Sequence, residues 1–332
     1  MIFNSKCLSF FILIFSFYTC SNASTNTSDT TPDKNKAQKT HSRIEFIRHA
    51  TLVPTTISKA DRNYNQGMKF ATEGQFDKAK IEFEKAIAID AAHQHSVYAL
   101  KSTKEVLEGK RSKKAAIFLF MAMADIDKSS SFDKGLSYLN KAIATDPKFV
   151  VAYVNRSMVY KLKGDYVKAM QDLTKAIAID SKCTDCYYNR ATLYSKKGNQ
   201  ESAIKDYSQC INININDADA YYNRGIAFIK TRQMDKAIAD FSNAIKYNPK
   251  YIKAYFNRGM LYKLKGQYKD AAADLTSVIN LDNRNALGYY YRGNVYYLNM
   301  KDKVKGCADW KRACELGRCK NYRIGKSKGE CK

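Results

Sequence analysis

The stretch Tyr221-Tyr222-Asn223-Arg224-Gly225 decides the reading of this chain, because altered copies of it return at a fixed interval. Asn155-Arg156-Ser157, Asn189-Arg190-Ala191, Asn257-Arg258-Gly259 and Tyr291-Arg292-Gly293 flank it, each 34 residues from the next. Twelve residues after the small residue comes another, at Ala169, Ala203, Ala237 and Ala271, and four further on a large apolar one, at Leu173, Tyr207, Phe241 and Leu275. Three more reach Ala176, Cys210, Ala244 and Val278. Small residues facing large ones at helical spacing let two antiparallel helices approach closely and then stack on the next pair. Gly164, Gly198 and Gly266 fall between the two helices of their units, and Pro147 and Pro249 fall between units. Helix breakers and apolar register therefore agree.

Outward from this centre the pattern loosens. A first unit is centred on Gly67, with Gly74, Ala79, Phe83 and Ala86, and a second on Met123, with Gly135, Leu139 and Ala142. Their spacing is 56 residues, and the extra length predicts an inserted helix within 91–115, over Ala91 to Glu108, followed by the basic turn Gly109-Lys110-Arg111-Ser112-Lys113-Lys114. The stack is interrupted there or carries a degenerate half-unit. The last unit slips by one residue before Ala308-Asp309-Trp310.

The period and these residues resemble the tetratricopeptide repeat, a helix-turn-helix unit in which a small residue faces an aromatic one. The resemblance implies an all-α chain: an α-solenoid of about seven repeats, wound as a right-handed superhelix with a concave groove. The repeats lie near 60–93, 116–149, 150–183, 184–217, 218–251, 252–285 and 286–319, within a solenoid over 60–319, and a basic, cysteine-containing tail occupies 320–332. In this family the first helix of each pair lines the groove, and an Asn there can hydrogen-bond an extended peptide. Carried over, Asn155, Asn189, Asn223 and Asn257 form such a ladder, with Tyr188, Tyr222, Phe256 and Tyr290 as aromatic anchors. An Asn in this place can equally bond a neighbouring turn. Val154, Tyr188, Tyr222 and Phe256 stand where a dicarboxylate clamp needs charged residues, so that subclass is not supported.

The Arg beside each Asn has an Asp sixteen residues on, at Asp172, Asp206, Asp240 and Asp274, and Arg292 has Asp309 one place later. Opposite charges repeating in step on paired helices read as inter-helix salt bridges that set the stacking. They belong to the scaffold.

The chain has 332 residues, 45% hydrophobic and 27% charged, with 4 Pro and 24 Tyr, as suits a helical protein packed with aromatic rings. Its formal charge of +24 raises a polyanion as a partner, but heavy use of Lys, Asn and Ile with little Arg is what biased coding produces without selection for binding. No catalytic constellation is found, and no cofactor or metal is expected. The four histidines, His41, His49, His93 and His95, lie before or at the margin of the first repeats, with no third ligand beside His93-Gln94-His95, which reads as a solvated helix end. Arg48-His49 is followed by Ala50 where a phosphatase motif has Gly.

The N-terminus carries Lys6 and an apolar run from Leu8 to Tyr18, too short to span a bilayer and suited to a signal peptide over 1–20. Phe17-Tyr18-Thr19-Cys20 resembles a bacterial lipobox, which implies lipidation of Cys20, and Ser21-Asn22-Ala23 offers an ordinary cleavage site as the alternative. A polar stretch over 21–59 reads as a flexible tether. The expected location is the bacterial cell envelope, as an outer-membrane lipoprotein or periplasmic protein, with secretion as the alternative. The closing segment Cys307-Ala308-Asp309-Trp310 through Gly317 resembles exported repeat proteins of Bacteroidetes-type bacteria. An oxidising compartment permits disulfides. Cys307, Cys314, Cys319 and Cys331 are dense enough for two bridges whose pairing is open, Cys183 and Cys186 have the spacing of a local bridge or a pair of thiols, and Cys210 stands at a core position.

The function expected is that of a non-enzymatic scaffold holding a protein or extended peptide, with the membrane reached through a lipid anchor. A polyanion-binding solenoid, for nucleic acid or an anionic glycan, and a structural spacer are the alternatives; nucleic acid is not the partner expected.

Overall fold

A computed structural model describes residues 58–128 and 132–332. The signal segment, Cys20, His41, His49 and the tether up to residue 57 lie outside the described residues. Among the described residues there are sixteen helices and no strand.

They follow one another as antiparallel hairpins. α1 (Lys59–Thr72) pairs with α2 (Phe76–Ile89), and α3 (Gln94–Leu107) packs on α2. α4 (Lys113–Lys128) pairs with α5 (Asp133–Thr145). Four regular pairs follow: α6 (Val150–Leu162) with α7 (Tyr166–Ile179), α8 (Thr184–Lys196) with α9 (Gln200–Ile213), α10 (Ala218–Lys230) with α11 (Met234–Tyr247), and α12 (Ile252–Leu264) with α13 (Tyr268–Leu281). α14 (Ala286–Asn294) pairs with α15 (Lys303–Glu315), on which α16 (Lys320–Ser327) packs.

The small-against-large pattern has a direct geometric cause. A Cβ added at Gly225 would stand 2.9 Å from Cε1 of Phe241, so the α11 ring fills the space that the missing side chain leaves on α10. Phe241 is fully buried there, as are Ala237 and Ala244 on the same face of α11. The turns between paired helices need a left-handed residue, and Gly164, Gly198 and Gly266 supply it at φ +81°, +84° and +77°. In the fifth repeat, Arg232 takes this conformation at φ 62°, and in the last Lys301 does so at φ 60°. The one-residue slip is absorbed by a single π turn, Val295–Asn299, in which the Met300 amide donates to the Val295 carbonyl at 2.9 Å. One extra residue widens a single helical turn without moving the next helix out of register.

The Arg–Asp pairs stitch the stack. Arg224 donates through Nε and Nη2 to both oxygens of Asp240, each at 2.8 Å, and through Nη1 to Ser208 Oγ at 3.0 Å. Its planar fork thus joins α10 to α11 of its own repeat and to α9 of the preceding one. Arg156, Arg190, Arg258 and Arg292 repeat the arrangement, with Asn140, Thr174, Ser242 and Thr276 as the preceding-repeat partners. The Asp of each pair is buried, and the Arg lies over tyrosine or phenylalanine rings. Pairing with the Asp raises the Arg groups of all five pairs, at Arg224 against burial that pulls it down; at Asp240 and Asp274 burial raises the carboxyl more than its Arg lowers it.

The margin of the first repeat differs from expectation. His93 caps α3: its Nδ1 lies 2.7 Å from Ser96 Oγ and its Nε2 3.0 Å from Asp61 Oδ1 on α1. The His93 side chain is 11% exposed, so His93 makes a part-buried inter-helix contact and is not a solvated helix end, while His95 is exposed.

Candidate functional site

The first helices α6, α8, α10 and α12 place the four Asn residues one per helix, on neighbouring rungs. Most of them turn their amide nitrogen back into the scaffold. Nδ2 of Asn155, Asn189 and Asn223 donates to the carbonyl four residues earlier, at 2.9 Å in each case, to Val151, Asp185 and Asp219. Asn223 also donates to the Tyr188 hydroxyl at 2.8 Å, and Asn257 to the Tyr222 hydroxyl at 3.0 Å. The two ladders inferred from sequence are thus one: each of these tyrosines receives the Asn of the next repeat. The amide oxygens of Asn189, Asn223 and Asn257 accept no bond among the described residues, which leaves an acceptor at each rung.

The aromatic residues divide. Tyr188 meets Tyr207 edge-on at 5.6 Å, and Tyr222 stacks on Tyr251 at 4.9 Å; both remain part-exposed. The Tyr251 hydroxyl donates to Asp219 Oδ1 at 2.7 Å, and burial together with that carboxylate pushes it well above the ordinary phenol range. Phe256 is a correction. It is 3% exposed and packs edge-on against Tyr291, so it is a core ring and presents no anchor. Tyr290 is covered from the far side, by the Arg318 guanidinium 5.2 Å from its ring and by Asn321 of α16 at 3.4 Å from its hydroxyl.

The near end is also occupied. Val154 offers no hydroxyl, and Phe120, one repeat before Asn155, offers none either. The inserted helix brings one to the Asn155 side chain: burial, then the Asp185 and Glu105 charges, push the Tyr98 hydroxyl above the ordinary phenol range, and the neighbouring Asn155 amide opposes them. Asn155 is 4% exposed. Tyr98 lies 34 residues after Tyr64, so α3 continues the register of the first repeat, while α4 takes over the pairing with α5. That spacing was the signal by which Tyr98 could have been found. The accessible part of the row therefore runs over α8 and α10 and ends at α12, where Asn257 is 7% exposed.

At the C-terminal ends of these helices stand Lys196, Lys230 and Lys263. Burial lowers Lys230 and Lys263. Lys230 reaches Ser195 Oγ at 3.3 Å, and neither has a carboxylate partner among the described residues. At the opposite ends stand Asp185 and Asp219. Lys253 takes that place on α12, so this edge is acidic on α8 and α10 only, and the other edge is basic.

All six candidate cysteines are paired: Cys183 with Cys186, Cys307 with Cys331, and Cys314 with Cys319. Cys183 caps α8, and Cys210 is buried with its thiol 3.5 Å from the Thr184 carbonyl. No cluster of three or more His, Cys, Asp or Glu able to hold a metal occurs among the described residues.

Tetratricopeptide repeat models match residues 60–93, 150–183, 218–251 and 241–273, and a further TPR repeat model matches 191–231. No curated protein matches the sequence. Among solved structures, YrrB, described as a TPR protein with an unusual peptide-binding site, is 20% identical over 57% of this chain and 97% of its own, with a TM-score of 0.50. The C-terminal part of a TPR repeat-containing protein from Cytophaga hutchinsonii is 17% identical over 76% of this chain and 95% of its own, with a TM-score of 0.56. The repeat-model matches, with the 34-residue helix pairs and their Arg–Asp staples, identify the chain as a tetratricopeptide repeat protein.

Proposed function

We propose that this protein is a non-enzymatic scaffold that holds an extended segment of a partner protein along α8, α10 and α12. The observation that carries the reading is the row of unengaged amide oxygens at Asn189, Asn223 and Asn257, which can accept peptide N–H groups, beside the part-exposed rings of Tyr188 and Tyr222. Tyrosine offers a large rigid contact surface at low entropic cost, and such rings dominate interface energies. A peptide-binding site is attributed to YrrB, a protein of this fold. The lysines of the basic edge favour a segment carrying carboxylates on that side. Lys230 and Lys263 are already partly dehydrated, so an anion there costs less further dehydration.

The same reading places the protein at the bacterial cell envelope, anchored through lipid on Cys20. The apolar run 8–18 and the Cys after it support this, and N-terminal mass analysis tests it. A diacylglyceryl group on Cys20 is expected; an unmodified N-terminus at Ser24 overturns it.

Affinity capture from cells with native protein and with Asn189→Ala/Asn223→Ala/Asn257→Ala tests the scaffold. The captured partner is expected to be lost while the helical spectrum is kept. Full retention of every partner supports a spacer, and loss of binding by native protein in high salt alone supports a polyanion-binding solenoid.

A further inference from the structure

The charge of this molecule is most concentrated where the groove is closed. Residues 318–332 contain Arg318, Lys320, Arg323, Lys326, Lys328 and Lys332 against one acid, Glu330, a net charge of six minus one, or +5. That acid is engaged by Lys303 at 2.8 Å and by the Tyr297 hydroxyl. The other acids near it are engaged as well: Asp302 by Lys305, Asp309 by Arg292 and Glu315 by Arg312. None of the six cations has a carboxylate partner among the described residues, and five of them are exposed, Arg318 lying on Tyr290.

This segment is fixed in place. Cys314–Cys319 ties the start of α16 to α15, and Cys307–Cys331 ties its far side to the same helix. The Cys331 amide donates to the Gly325 carbonyl at 3.1 Å, and the Tyr322 hydroxyl to the Lys332 carbonyl at 2.9 Å. Two large aliphatic side chains flank the second disulfide: Val304, one turn before Cys307 and 83% exposed, and Ile324, next to Gly325 and 45% exposed. Leu298, in the preceding π turn, is 50% exposed.

From this we infer that α16 and its disulfide-held flank form a docking face for an anionic lipid bilayer, the cations meeting phosphate headgroups while Val304 and Ile324 enter the interfacial layer. Cations interleaved with exposed aliphatic groups fit a membrane interface, which rewards both. A nucleic acid would reward the charge and leave the aliphatic groups in water. The face is separate from the α8–α12 row, so its test does not depend on that reading.

Full-chain protein is mixed with vesicles of phosphatidylcholine and phosphatidylglycerol at roughly a 3:1 ratio, and with phosphatidylcholine alone, and bound protein is measured by sedimentation. Lys320→Glu/Arg323→Glu/Lys328→Glu is compared with Lys175→Glu/Lys205→Glu/Lys269→Glu, an equal charge change on exposed lysines of α7, α9 and α13. Any contribution of the N-terminus is common to both and cancels. At about one basic residue's worth of surface attraction each, the first variant is expected to lose on the order of 100-fold in affinity for the anionic vesicles and the second less than about threefold, with phosphatidylcholine binding equal in both. Val304→Ser/Ile324→Ser is expected to weaken anionic vesicle binding by about tenfold, with binding to duplex DNA unchanged. Equal losses in the two charge variants, or native affinity in the first, overturn the inference. So does loss of duplex DNA binding by the first variant with its vesicle binding intact.

Discussion

The stack from α6 to α15 and the segment from α1 to α5 are built from the same kind of hairpin, yet they are held together differently. From α6 onward every repeat carries the Arg–Asp staple, and each staple reaches back to the preceding pair. In the first repeat Gln66 and Glu82 occupy those places, and in the second Ala122 and Tyr138 do, so no staple forms. Burial of large side chains takes over there. Phe120 lies 6.2 Å from both Phe76 and Phe83, and Leu119, Met123 and Phe149 are fully buried in the same cluster. A periodic polar staple imposes one spacing on every repeat, whereas an apolar cluster tolerates an extra helix. That is why the insertion at α3 occurs in this half of the molecule.

The comparison breaks first at its strongest point. Arg224→Ala leaves Asp240, which is 3% exposed, without its partner, and is expected to cost about 3–5 kcal/mol in denaturant unfolding. Gln66→Ala, in the equivalent place of the first repeat, is expected to cost less than about 0.5 kcal/mol. Similar losses at both positions would mean that the staple does not distinguish the halves. Next in size is Gly225→Ala, whose new methyl would meet the Phe241 ring; about 1–3 kcal/mol is expected, read in the same unfolding experiment. Tyr98→Phe removes the hydroxyl that joins α3 to Asn155, at a cost of about 1 kcal/mol, with faster amide hydrogen exchange confined to α3 and the start of α6. The smallest effect has the opposite sign. Arg232→Gly relieves a left-handed turn residue and is expected to stabilise by about 0.5–1 kcal/mol, a rise seen as a higher thermal midpoint.

Much of this was legible in the residues, and the rest was hidden for physical reasons. The 34-residue return of Asn-Arg-small gave both the helix pairs and the Arg–Asp bonds, because both depend on contacts within one repeat. The third bond of each Arg crosses to the preceding repeat, sixteen residues upstream, where Asn140, Thr174, Ser208, Ser242 and Thr276 recur as small polar residues whose role only the stacking of the repeats reveals. The groove residues were legible as a row but not in their exposure. Phe256 occupies the same register as Tyr222, yet a phenyl ring lacks the hydroxyl that draws tyrosine toward solvent and toward Asn, and it is buried. Arg232 and Lys301 take the left-handed conformation at two turns without the glycine that marks it elsewhere in the sequence. Coverage of the row by α3 and by α16 comes from helices lying outside the regular repeats, where the period carries no information.

Where a partner touches the first-helix row is the most direct test of the scaffold. A photocrosslinking amino acid placed at Tyr222, on the accessible part, is expected to capture a partner protein in cells, whereas the same residue at Tyr290, beneath Arg318 and Asn321, is expected to capture none. Capture at Tyr290 with none at Tyr222 would contradict it.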